Sequence, residues 1–577
     1  MLESLREVGE ALEYLLKNGY VVDPVNKIDC ERMDIAVKDG KIVESVDESK
    51  AKVIDVKNML VMPGGVDLHS HIAGSKVNVG RLFRPEDHYK DYEVKSGVRR
   101  SGVGHSVPST FTTGYRYAIL GYTTVFEPAT PPLKTLHTHD ELNDIPIIDK
   151  ACFPLFGNNW FVMEYIRDGK LEECAAYIAW LMRSIKGYAI KVVDPGGVEA
   201  WKWGITSQDF DQEIPRFGIT PREIVRGLVK VNKMLGLPHP VHVHTNQLGI
   251  PGNYKTTLKT MDAVKDLATG DRSILHVTHV QFNAYGGVDY LSFSSHADDI
   301  ADYVNKNPHV TIDIGQVIFG DTTTMTADGP FEYKLFNLLR GKWANADVEV
   351  ETGAGVVPIT YSRSNYVHAV MWCIGLELAL LIKDPWRVFI TTDHPNGGPF
   401  TEYPRVFSWL MSKKARERVL KRIPRLARVR TNLKDIDREY TFYELAISTR
   451  AATAKILGLS NKGHLGVGAD ADIAVYNINP KEVNPSADYK IVMQAFSRAY
   501  LTMKDGEIIV KDGEVVAAPV GRTYWVNAKA PKDVEDVVIP EVKKRFEEYY
   551  TVKFENYHIP ESYLACSAPI QPLEPLG

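Results

Sequence analysis

Two histidines two residues apart, His69 and His71, close an apolar run that reads Val61-Met-Pro-Gly-Gly-Val-Asp-Leu-His-Ser-His71. On a β-strand, side chains at i and i+2 point to one face, so both imidazoles can aim at a single point, as metal ligands must. A His-rich turn after a strand would look the same, and later stretches decide between the two. Lys191 lies in Tyr188-Ala-Ile-Lys-Val-Val-Asp194, and His242 and His244 lie in Val241-His-Val-His-Thr-Asn246. His276 and His279 lie in Leu275-His-Val-Thr-His-Val-Gln281, and Asp393 in Phe389-Ile-Thr-Thr-Asp-His-Pro-Asn396. Singly, each has an ordinary explanation. A strand histidine is usually hydrogen-bonded in a core, a lysine among apolar residues is paired or snorkels, and a strand-ending aspartate caps a helix. Jointly, three His-bearing strands, a lysine and an aspartate at strand ends form a donor set suited to Zn²⁺ or another first-row divalent ion.

Lys191 is the most informative of these. Cations beside it would repel an ammonium, and burial disfavours its charge. A lysine deprotonated by such surroundings can take up CO₂, and the resulting carbamate is an anion able to bridge two metals.

The elements that must position these residues alternate between strand and helix. Eight strands are predicted: 61–68, 122–128, 147–156, 188–193, 240–244, 274–280, 310–314 and 388–392. Helices are predicted over 171–185, 221–235, 257–268, 296–305 and 366–382. Eight strand–helix units fit an α/β fold, a closed (β/α)₈ barrel that gathers its active residues at the C-terminal strand ends. On either side the pattern changes to short hairpins. Asp39-Gly40 separates Asp34–Val37 from Lys41–Val43, and Asp505-Gly506 and Asp512-Gly513 punctuate 500–516. These distant pieces are expected to pair into one small β-sandwich domain. The expected domains are 1–62 (an N-terminal helix over 2–17, then half of the β-domain), 63–460 (the barrel), 461–526 (the other half) and 527–577 (an extension). Residues 405–431 read as a basic helical surface, 442–457 as a further helix, and 531–577 as an extended arm on a partner or on the chain itself.

Bulk properties narrow the function. The chain has 577 residues, 44% apolar and 24% charged, with net charge −5, which gives no electrostatic case for nucleic acid. Its five cysteines, Cys30, Cys152, Cys174, Cys373 and Cys566, contain no CxxC, against a zinc ribbon, an iron–sulfur cluster or a disulfide framework. Glu3, Glu7, Glu10 and Glu13 argue against a signal peptide, and no apolar run reaches the roughly 18 residues of a membrane helix. A reducing cytoplasm is expected.

Pro63-Gly-Gly-Val-Asp-Leu-His-Ser-His71 resembles the first-strand signature of the amidohydrolase superfamily, and Gly463–Val475 its return from barrel to β-domain. More narrowly, nearly the whole chain resembles the A-subunit family of formylmethanofuran dehydrogenases. The narrower likeness rests on 72–78, Ile190-Lys-Val-Val-Asp-Pro-Gly-Gly197, His242–Asn246, Thr391-Thr-Asp-His-Pro-Asn-Gly-Gly-Pro-Phe400, Arg438-Glu-Tyr440 and 449–455. The resemblance implies two divalent ions, with zinc the expected metal. His69, His71, Lys191 and Asp393 would surround one, and Lys191 (N6-carboxylated), His244 and His279 would hold the other. His242 and His276 would then support or pack.

The implied reaction is attack of a hydroxide on a formamide carbonyl, with Asp393 moving the proton, or its reverse, condensation of formate with the primary amine methanofuran. CO₂ reduction to formate would fall to separate tungsten or molybdenum pterin and iron–sulfur subunits, in one-carbon metabolism of the methanogenic kind. Lys76, Arg81 and Arg84, after the His-x-His pair, either attract formate and the methanofuran carboxylates or are solvated surface charge. Asn246 and His394, beside the ligands, are further substrate candidates. Three rivals are a cyclic amidase like hydantoinase or dihydroorotase, a component of a formyltransferase/hydrolase complex, and a non-catalytic scaffold.

Overall fold

The computed structural model describes residues 13–270, 272–345 and 354–573. Eight parallel strands carry the candidate residues. They are β1 (Gly65–Asp67), β2 (Tyr122–Thr130), β3 (Asp149–Pro154), β4 (Lys191–Val193), β5 (Val241–His244), β6 (Leu275–Val277), β7 (Val310–Asp313) and β8 (Val388–Phe389). β1, β2 and β3 pair in parallel as one arc, and β4 to β8 as another. Single parallel bridges join the arcs at both ends, Leu155 with Lys191 and Ser70 with His394, so the eight strands follow one another in cyclic order. Every residue of these strands is buried and valine recurs among them, as suits strands with helices on the outer face and one another's side chains on the inner. The covering helices fall close to their expected places: Leu171–Ser184, Pro221–Met234, Tyr254–Asp262, Ala297–Lys306 and Tyr366–Leu381.

The run 61–68 is not one strand. It divides at Gly64 into Leu60–Pro63, which joins a different sheet, and β1. A side chain at Gly64 would overlap Thr123, and one at Gly65 the ring of Tyr122, so the crossing between sheets needs glycine. The other sheet has nine strands drawn from both chain ends. Leu60–Pro63 lies between Tyr14–Asp23 and Ile473–Tyr476, with Val61 opposite Val475. The hairpins at Asp39-Gly40, Asp505-Gly506 and Asp512-Gly513 form as expected. All three Asp-Gly pairs take positive φ at both residues, which suits tight two-residue turns.

Three further expectations fail. Residues 14–17, read as the end of a helix, belong to the strand Tyr14–Asp23; the rest of that expected helix, 2–12, lies outside the described residues. The strand wins because it pairs with three neighbours at once, a tertiary gain that outweighs local periodicity. The tail is not simply extended either, since Lys532–Tyr549 is helical. Asp533 and Glu535 sit in its first turn, and Val538, Val542 and Phe546, four apart, bury one face. After it, Ser567–Ile570 adds a strand beside Thr523–Val526, which itself pairs with β3. The segment 405–431 forms three short helices rather than one basic face.

A unit without a sequence forecast follows β7. Gly320–Thr326 and Gly355–Tyr361 pair antiparallel, with the helix Gly329–Leu339 between them in the chain. It stands over the C-terminal ends of the parallel strands and supplies one wall of the site.

Candidate active site

The residues at the C-terminal strand ends converge on a cavity of about 290 Å³. His69, His71, Lys191, His244, His279 and Asp393 all line it, each only 1–4% exposed. His279 and Asp393 sit just beyond β6 and β8 with φ of 35° and 49°. Left-handed backbone is unfavourable for both residue types and is tolerated where the surroundings fix a side chain's aim.

Asp393 is the meeting point. Its Oδ1 lies 3.0 Å from His69 Nε2 and 3.3 Å from His71 Nε2, yet it accepts no well-formed hydrogen bond, and His279 Nδ1 is likewise buried without a partner among the described residues. One donor atom from each of His69, His279 and Asp393 falls within a single 4.8 Å cluster. The Lys191 amine forms no ion pair or hydrogen bond among the described residues, and burial, partly offset by the Asp393 and Asp313 carboxylates, pushes it down to about 7. Burial pushes His244 and His279 below the ordinary imidazole range, so both present lone pairs. Neutral imidazoles, a carboxylate and a weakly basic amine around one space fit a divalent cation.

Supporting contacts fix these donors. Burial opposes ionisation of Glu127, in the second half of β2, but the Lys76 ammonium and His71 outweigh it and bring the carboxyl down to about 2. Glu127 Oε1 meets His71 Nδ1 at 2.9 Å and Lys76 Nζ at 2.8 Å, while Oε2 accepts from the amides of Ile72 and Ala73. Asp328 Oδ2 lies 3.2 Å from His244 Nε2. Asp313, at the end of β7, meets His276 Nε2 at 3.1 Å and accepts from the His279 amide and the Thr391 hydroxyl.

A file of histidines runs below His69. His242 Nε2 lies 3.0 Å from His69 Nδ1, His239 Nε2 lies 2.9 Å from His242 Nδ1, and His239 Nδ1 lies 2.9 Å from the carbonyl of Ile456. Burial keeps His239 and His242 neutral. A carbonyl only accepts, so His239 donates at Nδ1 and accepts at Nε2; His242 then does the same, and His69 donates at Nδ1. The file places the His69 proton on Nδ1, so a neutral His69 turns its Nε2 lone pair toward Asp393, the form a metal needs. Burial opposes charge on this ring, but the Asp313 and Asp393 carboxylates outweigh it and raise its pKa, so a bound cation has one proton to displace. His242→Leu should lower metal affinity about 10–100-fold, the usual cost of losing such a support. His242→Gln, whose carbonyl can still accept from His69, should lose less. Chelator-competition titration measures both, and equal affinity in all three proteins would remove the role.

The substrate candidates lie elsewhere. Lys76 is buried on Glu127 and the Ala129 carbonyl. Arg81 bonds Glu141 and the carbonyls of Pro108 and Ile72. Arg84 is buried on the Thr322 carbonyl and near Asp87. Asn246 donates to Asp194 and to the Pro195 carbonyl, and His394 Nδ1 accepts from the Phe400 amide. None of the five lines the cavity, whose far wall is apolar and aromatic, with Leu248, Phe282, Phe293, Phe331, Ile359 and Met371. Glu127, Asp313, Asp328, Glu332 and His239 escaped the sequence reading. Glu127 and Asp313 did carry one signal, a lone carboxylate at the end of an apolar strand.

A model of the Amidohydrolase family matches residues 52–510. Protein FwdA of Methanocaldococcus jannaschii is 53% identical over 559 residues, 96% of this chain and 97% of the relative. The chain belongs to the FwdA family of amidohydrolases. The expected kinship with the A-subunit family of formylmethanofuran dehydrogenases is borne out. FwdA-family membership makes it part of a metal-dependent hydrolytic or condensing enzyme. The A component of the formyltransferase/hydrolase complex Fhc of Methylorubrum extorquens is 37% identical over 549 residues, 93% of this chain and 94% of the relative. A chain in the crystal structure of that organism's FhcABCD complex with methylofuran superposes with a TM-score of 0.88 at 34% identity, over 97% of this FwdA-family chain and 100% of the other. Among the described residues, no helix is long and apolar enough to cross a membrane.

Proposed function

We propose that this chain reversibly condenses formate with the primary amine of methanofuran, releasing water and forming N-formylmethanofuran, at a site that would hold two zinc ions, with Lys191 N6-carboxylated. The observation that carries the reading is the convergence of His69, His71, Lys191, His244, His279 and Asp393 on one buried cavity. His69, His71, Lys191 and Asp393 would hold one ion, and Lys191, His244 and His279 the other. When bound, such ions supply a hydroxide nucleophile at neutral pH and polarise the formyl oxygen. Asp393, buried and held ionised by the surrounding imidazoles despite the cost of burial, takes the proton released on addition and passes it to the departing amine nitrogen. Glu127 and Asp328 hold the imidazoles of His71 and His244 at fixed angles. The apolar wall keeps bulk water away and leaves room for an amine that carries an aromatic ring.

The architecture proposed to hold this site is a (β/α)₈ barrel over 63–460, closed by the bridges beside Ser70 and Lys191. A β-sandwich from 1–62 and 461–526 and an extension over 527–577 complete it. The five cysteines are all free and scattered, so the redox half of a CO₂-reducing reaction would lie on a tungsten or molybdenum pterin subunit with iron–sulfur partners, in the cytoplasm. The FhcABCD likeness favours a second reading, in which the same site serves a formyltransferase/hydrolase assembly. Co-purification from native cells separates the two, since only the first brings down a pterin–metal protein. Elemental analysis of natively purified protein should give about two metals per chain. A reproducible value near zero would leave only the scaffold reading.

A further inference from the structure

The condensation proposed above sets a proton requirement. A primary amine arrives at neutral pH as R–NH₃⁺, and the formamide it becomes keeps one N–H. Two protons must therefore leave nitrogen, and both end on the formate oxygen that departs as water. Asp393 can move one of them. Among the described residues lining the cavity there is just one other carboxylate, Glu332.

Glu332 sits in the first turn of the Gly329–Leu339 helix, in the wall above the strand ends. It is fully buried. Its Oε2 lies 2.8 Å from the Thr324 hydroxyl, which also reaches the Val357 carbonyl at 2.9 Å; the contact fixes the carboxyl plane, and Oε1 has no partner among the described residues. Gly355 backs it: any side chain there would overlap Glu332 Cβ. A buried carboxyl oxygen left unpaired is costly, and proteins retain such groups where a ligand completes them. Among the described residues neither an arginine nor a second lysine joins Lys191 in lining the cavity, so Oε1 is open to an N–H of the ligand. Burial, Asp328 and Asp393 all raise the Glu332 carboxyl well above the ordinary range, and an ammonium on Oε1 would supply the positive charge that stabilises its ionised form.

Resting on the condensation reading, the geometry points to Glu332 as the residue that binds the substrate nitrogen and takes its first proton. The carboxylate accepts an N–H from R–NH₃⁺, and one proton passes to Oε1, leaving R–NH₂ and a neutral carboxyl. The freed lone pair forms the C–N bond to the formate carbon. The second nitrogen proton leaves through Asp393, and both protons complete the departing water. No electrons change hands. In the hydrolytic direction the neutral carboxyl returns its proton to the amine.

The test uses the metal-loaded full chain and three proteins: wild type, Glu332→Gln and Glu332→Asp. Steady-state condensation is followed with methanofuran varied at saturating formate and then the reverse, alongside metal content and melting temperature. Loss of a charge-assisted hydrogen bond predicts a KM for the amine about 10–100-fold higher in Glu332→Gln, with the KM for formate within about twofold of wild type. Glu332→Asp, shorter but still a carboxylate, should retain more amine affinity than Glu332→Gln. A purely structural residue predicts the opposite order, because glutamine preserves the shape and the bond from Thr324. That order, or an unchanged KM for the amine in Glu332→Gln, overturns the assignment while leaving the proposed function standing. A wild-type chain that neither forms nor hydrolyses the formamide removes both.

Discussion

Asp393→Asn should release formate from N-formylmethanofuran about 10²–10⁴-fold more slowly than the wild-type chain, the usual worth of a general acid–base group. Loss of a charged metal donor adds to that figure. The substitution is nearly isosteric, so melting temperature should hold, and metal content should fall only in part because His69, His71 and Lys191 remain. The assay is formate release from the metal-loaded full chain with no electron acceptor present. A fully active Asp393→Asn would place the proton shuttle elsewhere. His394 makes a poor substitute: burial brings its imidazole down to about 3, and its Nδ1 already accepts from the Phe400 amide. Strict dependence of the wild type on an electron acceptor would show that the chemistry is not amide hydrolysis.

Lys191→Ala should lose metal and activity together, to near background, because its carbamate is the one group proposed to reach both ions. A short carboxylic acid in the medium should restore part of both, occupying the space the side chain leaves. Full metal and full rate in the alanine variant would reduce Lys191 to a packing residue. The wild type offers a second test. CO₂ reacts with the neutral amine, and a group whose folded pKa is depressed to about 7 is neutral above that pH and charged below it. Reconstitution of metal-free chain with CO₂ and metal should therefore slow about tenfold between pH 8 and pH 6 and level off above pH 8. A rate still rising tenfold per unit above pH 9 would mean that the amine behaves as an ordinary lysine.

These two residues were legible in the sequence because their signals are strong in different ways. His-x-His at a strand end is a spacing signal, since period two puts both rings on one face. Lys191 and Asp393 are signals of type, charged residues closing apolar strands. Glu127, Asp313 and Glu332 were not legible, although they are as buried as the ligands. A lone carboxylate has no spacing partner, and whether it caps a helix, orients a ring or faces a ligand depends on residues far away in the chain. His242 and His276 show the limit from the other side. Nothing in Val-His-Val-His says which ring faces inward; the structure puts His244 on the cavity and His242 beneath His69. Lys76, Arg81 and Arg84 read as mouth charges because they follow the motif, but each has a carboxylate or carbonyl within reach that uses its charge. The apolar spacing before Gly19 suggested a helix because local periodicity cannot register three waiting strand partners. The tail helix was hidden by Pro540 inside it and by the prolines beyond.

The pairing of Val61 with Val475 has a consequence for how the chain is made. More than 400 residues separate the two partners, so at the usual ~5–20 residues per second the first strand leaves the ribosome about 20–80 s before its neighbour exists. Through that interval the strand leading into His69 presents an open edge, the kind of surface that chaperones bind and aggregates nucleate on. The proposed metal donors span a shorter but still long stretch, from His69 to Asp393. A nascent chain can hold an ion only loosely until Asp393 emerges, and the sheet that anchors the first donor strand closes later still. Maturation of this protein should thus be post-translational, with metal entering a completed fold, and a ribosome-stalled chain ending before residue 473 should resist metal loading even though every donor has been synthesised.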